Sequence, residues 1–373
     1  MMMKICDAGK GSLPDRVREF LARLLREKTV QAVLVAKRHP KGKSAAPVLI
    51  SDPEKLAGAD PLAPVQIINA ARILVELTKE QPAAAGDKGQ APRIAAVIRP
   101  CEIRAAIELI KLKQVQPANL VLVGFDCAGT FDLKRYGEQK TGEEFTLSFL
   151  RASADKDRED IRPACRLCTH FTASGADVNL CWMGAEDGEL LIEPLTEKGQ
   201  KLLKSLNAKE AERPKGRDEA IKKKRAEREA RLSDSPENLM ELLEPCLRCY
   251  NCREACPICY CKECLLKSEK MGHTPERHLG RAAKKGQIKL PADTVLFHLT
   301  KMNHMGTSCV ACGLCEQACP MGIPLGRIYS LVGRHAQALF NYVPGRSAAD
   351  ELPVATFRED ELPDVEDVKK GSK

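Results

Sequence analysis

The residues best suited to chemistry in this sequence are its cysteines, 17 among 373 residues. Two segments share one pattern. Three Cys are separated from one another by two intervening residues, and a fourth Cys, followed by Pro, comes after three more intervening residues. The two copies are Cys246, Cys249, Cys252 and Cys256 before Pro257, and Cys309, Cys312, Cys315 and Cys319 before Pro320. Three thiolates at this spacing wrap a loop around one [4Fe–4S] cubane, and the fourth reaches a second cluster.

This exchange of the fourth ligand predicts two clusters. The first would take Cys246, Cys249, Cys252 and Cys319, and the second would take Cys309, Cys312, Cys315 and Cys256. Zinc is the alternative because it also binds Cys-x2-Cys pairs, but it needs neither the third Cys nor the duplicated Cys-Pro. Three surplus thiols, Cys259, Cys261 and Cys264, have no assigned role, and the histidines between the two copies are not assigned to a metal.

A second group of thiols lies in the first half of the chain, where strand and helix patterns alternate. Apolar runs predict buried strands over 32–36, 93–98 and 119–125, and apolar spacing predicts helices over 13–26 and 64–79 and from Pro100 onward. Strand, helix, strand at this spacing predicts an α/β fold (α+β with the C-terminal part) and parallel pairing in its sheet.

Ligands of such sheets bind beyond the carboxyl ends of the strands. Cys101 and Cys127 each follow one predicted strand end, so we expect both on the same rim of the sheet. Cys165 and Cys168 form another Cys-x2-Cys pair, which alone fits a redox pair or half a zinc site equally well. These four residues are candidates for a third [4Fe–4S] cluster, with Cys181 as a spare ligand.

Composition sets the broad class. Lys and Arg exceed Asp and Glu by 59 to 51, and no apolar run is long enough to cross a membrane. We expect a cytoplasmic, metal-binding protein with four regions: an α/β domain over 1–206, a charged helical linker over 207–240, a ferredoxin-type domain over 241–344, and an acidic, disordered tail over 345–373. The basic run 222–225 suits nucleic acid poorly because acids are interleaved around it, so no nucleic-acid partner is expected.

Three stretches resemble the beta-subunit family of coenzyme F420-dependent hydrogenases and formate dehydrogenases. Residues 99–102 (Arg-Pro-Cys-Glu) resemble its Pro-Cys-Gln segment, and residues 162–171 (RPACRLCTHF) resemble its RPACxxCxDF motif. Residues 176–178 and 193–206 are similar to the stretches that follow. The resemblance covers about residues 10–206. The segment 307–326 also resembles ferredoxin segments of heterodisulfide-reductase-like and formate-dehydrogenase-associated subunits.

The resemblance implies FAD, [4Fe–4S] clusters and exchange of hydride with a deazaflavin or a related small carrier. Clusters pass single electrons, so a flavin is the group that would join them to a hydride carrier. The clusters would pass these electrons to a partner subunit, which would be a hydrogenase, a formate dehydrogenase or a heterodisulfide-reductase-like protein. No residue is assigned to FAD or to catalysis, and no Gly-x-Gly-x-x-Gly motif occurs. The alternative function is a flavin-free electron-transfer adaptor with no hydride-carrier site.

Overall fold

The fold is described from a computed structural model for residues 3–5, 11–79, 93–139, 142–152, 159–184, 190–214, 216–232, 238–269, 272–353 and 355–356. In this part of the chain, eight strands form one sheet with the order β3-β2-β4-β5-β6-β7-β1-β8. The strands are β1 (Met3–Ile5), β2 (Ala32–Arg38), β3 (Ala45–Ile50), β4 (Ile94–Val97), β5 (Leu120–Phe125), β6 (Val178–Cys181), β7 (Leu191–Pro194) and β8 (Lys209–Ala211).

The centre of the sheet is parallel and its two sides are antiparallel. Strands β2, β4, β5 and β6 pair in parallel, whereas β3 pairs antiparallel with β2, and β7, β1 and β8 continue antiparallel from β6. The predicted α/β class with a parallel sheet is therefore confirmed for the central strands, and the complete sheet is mixed. All three predicted strands form, because their apolar runs are buried on both faces.

Helices cover both faces of the sheet. They are α1 (Leu13–Arg26), α2 (Ala71–Leu77), α3 (Pro100–Lys111), α4 (Leu133–Glu138), α5 (Glu143–Arg151), α6 (Pro163–Arg166) and α7 (Glu197–Ser205). Successive residues of a strand point to opposite faces. In β5, Val121 and Val123 join the apolar core that includes α1, while Leu120 and Leu122 join the core that includes α3.

The helix predicted over 64–79 begins only at Ala71, so its first part was wrong. The backbone before Ala71 is used in tertiary hydrogen bonds instead of helical ones. The Pro64 carbonyl accepts from Phe131 N at 2.9 Å, and the Ala70 amide donates to Glu102 Oε1 at 3.0 Å. At the start of the helix, Asn69 Oδ1 accepts from the Ala71 amide at 3.1 Å, while the N-cap residue Ala70 makes no side-chain capping bond.

The C-terminal part is helical. Its helices are α8 (Arg217–Glu229), α9 (Leu239–Leu243), α10 (Asn251–Glu254), α11 (Pro275–Lys285), α12 (Thr294–Met305), α13 (Leu314–Gln317) and α14 (Leu325–Leu339), with a 3-10 turn at Leu265–Lys267 and another in the first domain at Pro53–Leu56. No helix in the described ranges is both long and apolar enough to span a membrane. Most of the predicted disordered tail, residues 357–373, lies outside the described residues.

Helix α3 joins the two parts of the molecule. The buried Arg104 donates to the carbonyls of Pro344 at 2.8 Å and Val310 at 3.2 Å. One turn further, Glu108 accepts from Tyr342 Oη at 2.6 Å. Both buried side chains on α3 find hydrogen-bond partners in the C-terminal part. These bonds fix the position of that part against the sheet domain.

Candidate metal centres

The first group of predicted ligands surrounds one small cavity. The loop before α10 supplies two of its thiols, α10 itself supplies the third, and the segment after α13 supplies the fourth. They are Cys246, Cys249, Cys252 and Cys319. Cys246 and Cys252 are buried, whereas Cys249 is exposed, so this cavity lies at the protein surface.

The second group surrounds a separate small cavity. Its thiols are Cys256, Cys309, Cys312 and Cys315, and Tyr329 and Met305 are among the other residues of the wall. Helices α10 and α13 pack against each other, and each ends just before the fourth Cys of its own copy. This packing carries Cys256 and Cys319 across to the other copy's loop, as the spacing predicted.

The backbone of the two loops is equivalent. Left-handed residues occur at the third and fifth positions of each copy: Arg248 (φ 52°), Tyr250 (φ 63°), Ala311 (φ 55°) and Gly313 (φ 71°). Such turns aim successive amide groups into one concavity that suits an anion. The Arg248 amide donates to Cys246 Sγ at 3.4 Å. Both loops therefore fit a negatively charged, sulfur-rich group.

A third small cavity lies at the carboxyl edge of the parallel strands. It is lined by Cys101, Cys127, Cys165 and Cys168. Cys101 is in the first turn of α3 just beyond β4, Cys127 follows β5, and the other two belong to α6 and the residues after it. The structure thus gathers the four thiols proposed from strand ends and from the Cys-x2-Cys pair, although no sequence spacing links them.

Gly129 permits this arrangement. Its φ is +103°, and a Cβ there would lie 3.2 Å from Cys165 Cβ and 3.0 Å from Ile161 Cδ1. A side chain would therefore be strained by the backbone and crowded by its neighbours. The Gly129 amide donates to Cys127 Sγ at 3.4 Å, so the same turn also supplies a hydrogen bond to a thiol.

Three arginines, Arg99, Arg162 and Arg228, line the third cavity, and all are buried. Burial raises the pKa of Cys127 to about 11. Burial also opposes ionisation of Cys165, but the Arg162 guanidinium and the Thr130 hydroxyl outweigh it and hold the Cys165 pKa below its usual value. The site therefore carries fixed positive charge that would compensate an anionic cluster.

The second and third cavities are adjacent, since Ala311 and Cys312 line both. The loop and α6 meet closely here. A Cβ on Gly313 would lie 2.3 Å from Ala164 Cβ, a separation that real side chains do not reach. Only glycine lets the ferredoxin-type loop approach the Cys165 segment at this distance.

Within the range predicted as a charged helical linker, 207–240, residues Lys209–Ala211 form strand β8 of the sheet, and residues Arg217–Glu229 form helix α8, which is not wholly solvated. Arg217 is buried and forms an ion pair with Asp126, which directly precedes Cys127, at 2.6 Å. Arg228 donates to the Cys168 carbonyl at 2.6 Å and lies 4.9 Å above the Phe171 ring. Helix α8 is thereby held against the third cavity.

Sequence reasoning missed these arginines because charged residues usually indicate a solvent-exposed face. Arg162 alone carried a usable signal, since it adjoins the Cys-x2-Cys pair. The remaining thiols in the described part of the chain lie outside the three cavities. Cys181 is buried on β6, 3.2 Å from Asn179 Nδ2, and Cys259 Sγ lies 3.1 Å from Lys301 Nζ. Cys261 is exposed and Cys264 is partly exposed.

The thiol separations also bear on the zinc alternative. Among the described residues, no three His, Cys, Asp or Glu side chains stand close enough to share one metal ion. A single zinc ion needs all of its ligands in direct contact, whereas a cubane places irons and sulfides between them. What favours clusters over zinc is the third Cys and the Cys-Pro step of each copy, which zinc does not need.

Comparison with known proteins agrees with this geometry. Residues 91–216 match the family formed by the C-terminal region of the coenzyme F420 hydrogenase/dehydrogenase beta subunit, and residues 242–323 match the 4Fe-4S dicluster domain. The first range contains the third cavity's thiols and the second contains all eight of the duplicated pattern. Over residues 91–216 the chain is therefore similar to the beta subunit of coenzyme F420 hydrogenases and dehydrogenases. Its C-terminal part is a 4Fe–4S dicluster domain, so the predicted resemblance and the iron–sulfur class are confirmed.

Two relatives of this beta-subunit family come from methanogens. The F420-dependent formate dehydrogenase subunit beta of Methanocaldococcus jannaschii is 26% identical over 366 residues, covering 86% of this chain and 89% of its own. The F420-dependent formate dehydrogenase 1 subunit beta of Methanococcus maripaludis is 27% identical over 311 residues, covering 71% and 76%. A chain of the F420-reducing [NiFe] hydrogenase complex from Methanosarcina barkeri superposes with a TM-score of 0.45 at 15% identity, covering 62% of this chain and 90% of that one.

Proposed function

We propose that this protein is the electron-transfer subunit of an oxidoreductase complex and that it holds three [4Fe–4S] clusters. One observation carries the proposal: twelve cysteines line three cavities, and Cys312 borders both the second and the third. The first cluster takes Cys246, Cys249, Cys252 and Cys319; the second takes Cys309, Cys312, Cys315 and Cys256; the third takes Cys101, Cys127, Cys165 and Cys168. When bound, such clusters supply one-electron transfer.

The protein's own residues order the three sites into a row. Cys312 borders the second and third cavities, so occupants of the two sites stand on either side of one side chain. Tyr329 lines the second cavity, and its hydroxyl lies 2.6 Å from Nδ1 of His298, which lines the first. The row begins at the surface beside the exposed Cys249 and ends at the carboxyl edge of the sheet.

The two ends of the row suit different neighbours. At the sheet edge, a hydride carrier such as a deazaflavin would exchange with FAD, because a flavin couples hydride transfer to single electrons. At the Cys249 end, a partner such as a formate dehydrogenase, hydrogenase or heterodisulfide-reductase-like subunit would exchange electrons. The names of the relatives support a formate dehydrogenase complex. The described thiols are free, which suits a reducing compartment, and we place the protein in the cytoplasm.

The flavin-free adaptor is the second candidate. The observation that favours it is the lack of a Gly-x-Gly-x-x-Gly phosphate-binding turn in the sequence. Such an adaptor would keep the three cluster sites and lack hydride exchange.

Anaerobic purification followed by iron, acid-labile sulfide and flavin analysis tests both candidates. Three cubanes would give about twelve irons per chain, and two would give about eight. About twelve irons with one FAD supports the proposed function, and about twelve irons without flavin supports the adaptor. An iron content of about eight or less would contradict the third site, and zinc in place of iron would contradict the proposal as a whole.

A further inference from the structure

The two copies of the Cys pattern differ just after the cysteine that crosses to the other copy's loop. The third residue after Cys256 is Cys259, whereas the third residue after Cys319 is Gly322. The Cys259 amide donates to the Cys256 carbonyl at 3.3 Å. In the other copy, the Gly322 amide donates to the Cys319 carbonyl at 3.2 Å. The copies therefore share a backbone hydrogen bond, but only one of them carries a side chain at this position.

That side chain is one of the three surplus thiols. The Cys259 thiol contacts the sulfur of Cys256, which also accepts from the backbone amides of Ile258 and Cys259. A sulfur that binds a metal is a thiolate, and a thiolate only accepts hydrogen bonds. The S–H of the pair therefore belongs to Cys259. It is a third donor to the sulfur that is assigned to the second cluster.

Lys301 of helix α12 lies behind this thiol. Its Nζ is 3.1 Å from Cys259 Sγ, and the residue is 1% exposed. The charge of Lys301 interacts with cysteines, most with Cys256 and then with Cys259 and Cys252. An ammonium only donates hydrogen bonds, so it donates to the Cys259 sulfur and polarises the S–H toward Cys256. A buried cation is costly unless a negative group compensates it, and an anionic cluster would supply that charge.

Helix α12 faces the two dicluster sites with different groups. His298, three residues before Lys301, lines the first cavity, whereas Lys301 reaches the second site through Cys259. An imidazole contributes a hydrogen bond, while an ammonium contributes a full positive charge. Reduction adds negative charge to a cluster, and both positive charge and donors to its ligand sulfurs stabilise that charge. The asymmetry therefore favours the reduced state of the second cluster.

We propose that Lys301 is a positioning residue that acts through Cys259 to raise the reduction potential of the second cluster. The inference rests on the proposed function, since it requires a cluster bound by Cys256. It gives Cys259 a role as a hydrogen-bond donor and leaves this thiol outside the set of metal ligands. The middle site of the row then holds an electron more strongly than the cysteine spacing alone would provide.

The test is a redox titration followed by EPR on the full chain, purified anaerobically with its clusters. The variant Cys315→Ser, which lacks a ligand of the second cluster, identifies the EPR signal of that cluster. Cys259→Ala removes the donor, and Lys301→Met removes the cation. Each should lower the reduction equilibrium constant of the second cluster by up to about tenfold, which is about 59 mV for one electron. In Cys259→Ala the potential of the first cluster should not change.

Two kinds of control accompany these variants. Cys261→Ala removes an exposed thiol from the same loop and should leave every potential unchanged. Cys259→Ser keeps a donor and Lys301→Arg keeps a positive charge, so each should recover part of the shift. A merely structural role would not be expected to produce this recovery together with an unchanged first cluster. Shifts that the conservative variants fail to reduce would overturn the inference.

Iron content separates this test from that of the proposed function. About twelve irons with an unmoved second potential in both Cys259→Ala and Lys301→Met rejects the inference alone. Loss of about four irons in Cys259→Ala would make this thiol a metal ligand and would also reject it. A parent without iron rejects the proposed function and this inference with it. If Lys301→Met loses its clusters, Cys259→Ala decides the outcome, since it removes only one sulfur.

Discussion

His298 Nε2 lies 3.2 Å from Cys246 Sγ, inside a part of the dicluster domain where the histidine has no exposed surface. Its other ring nitrogen lies 2.6 Å from the Tyr329 hydroxyl. Burial lowers the pKa of His298 to about 4, so the ring is neutral near pH 7 and carries one N–H. A ligating thiolate only accepts hydrogen bonds, so the contact with Cys246 requires the N–H on Nε2, while Nδ1 faces the Tyr329 hydroxyl, which also contacts the Cys252 thiol.

Replacing His298 with Leu should lower the reduction potential of one cluster by tens of millivolts, on the order of one lost hydrogen bond. Hydrogen bonds to ligand sulfurs favour the reduced, more negative state, so their loss makes reduction harder. A redox titration followed by EPR measures the shift. His298→Gln, which restores an amide donor, should recover part of it. An unchanged potential at full iron content would show that the contact does not tune the cluster.

Replacing Cys315 with Ser should remove or convert the second cluster. Iron should fall from about twelve to about eight or eleven per chain, depending on whether the cubane is lost or becomes a three-iron cluster. The matched control is Cys261→Ser, an exposed thiol outside the three cavities, which should keep its iron. Loss of all iron in the Cys315 variant would mean that the domain folds only around its clusters. Unchanged iron and EPR spectra would refute the ligand assignment.

Replacing Arg217 with Met should leave the buried Asp126 carboxylate without its main cation. Breaking a buried ion pair costs about 3–5 kcal/mol, so we expect the apparent Tm to fall by roughly 5–10 °C. The control is Asp218→Asn. Asp218 is exposed and forms an ion pair with Arg213, so removing its charge should change Tm little. Calorimetry under anaerobic conditions measures both. Equal shifts in the two variants would argue against a special role for the buried pair.

Replacing Gly313 with Ala should be more damaging than replacing Gly322 with Ala. Both glycines have positive φ, 71° and 65°, so both substitutions strain the backbone. Only at Gly313 would the new Cβ meet another atom, Ala164 Cβ at 2.3 Å, while Gly322 has open space around it. Spin coupling between the second and third clusters, read by EPR, should change in the Gly313 variant. Identical spectra in both variants would contradict the close approach of the two sites.

Asp60 should make stability depend on pH. Its side chain is fully buried and accepts from Thr146 Oγ1 at 2.7 Å, and burial raises the pKa of its carboxyl above 3.8. The folded state therefore favours the protonated acid, and stability falls as the pH rises through the raised pKa. The Tm of Asp60→Asn relative to the parent should increase from about pH 4 to pH 7. A Tm difference that does not change with pH would show that the folded state does not disfavour the ionised carboxylate of Asp60.

The sequence by itself determined the chemistry of the C-terminal part. Both copies of the Cys pattern are local, and a loop of seven residues with helix after it has few ways to present three thiols. The pattern therefore predicted the cluster type, and it also predicted which Cys would cross to the other loop. The apolar runs of β2, β4 and β5 likewise determined the central strands, because burial on both faces requires continuous apolar residues.

Only the tertiary structure decided what surrounds those thiols. Cys101 and Cys127 converge because parallel strands end at one edge, whereas Cys165 in α6 joins them through close packing on Gly129 that no local pattern encodes. Arg217 and Arg228 resemble surface charges in sequence, since burial of a charge depends on a partner far along the chain. The prediction that α2 begins at residue 64 was wrong for the same reason. The Ala70 amide donates to Glu102 and the Pro64 carbonyl accepts from Phe131, so long-range hydrogen bonds replace the helical ones that local propensity predicts.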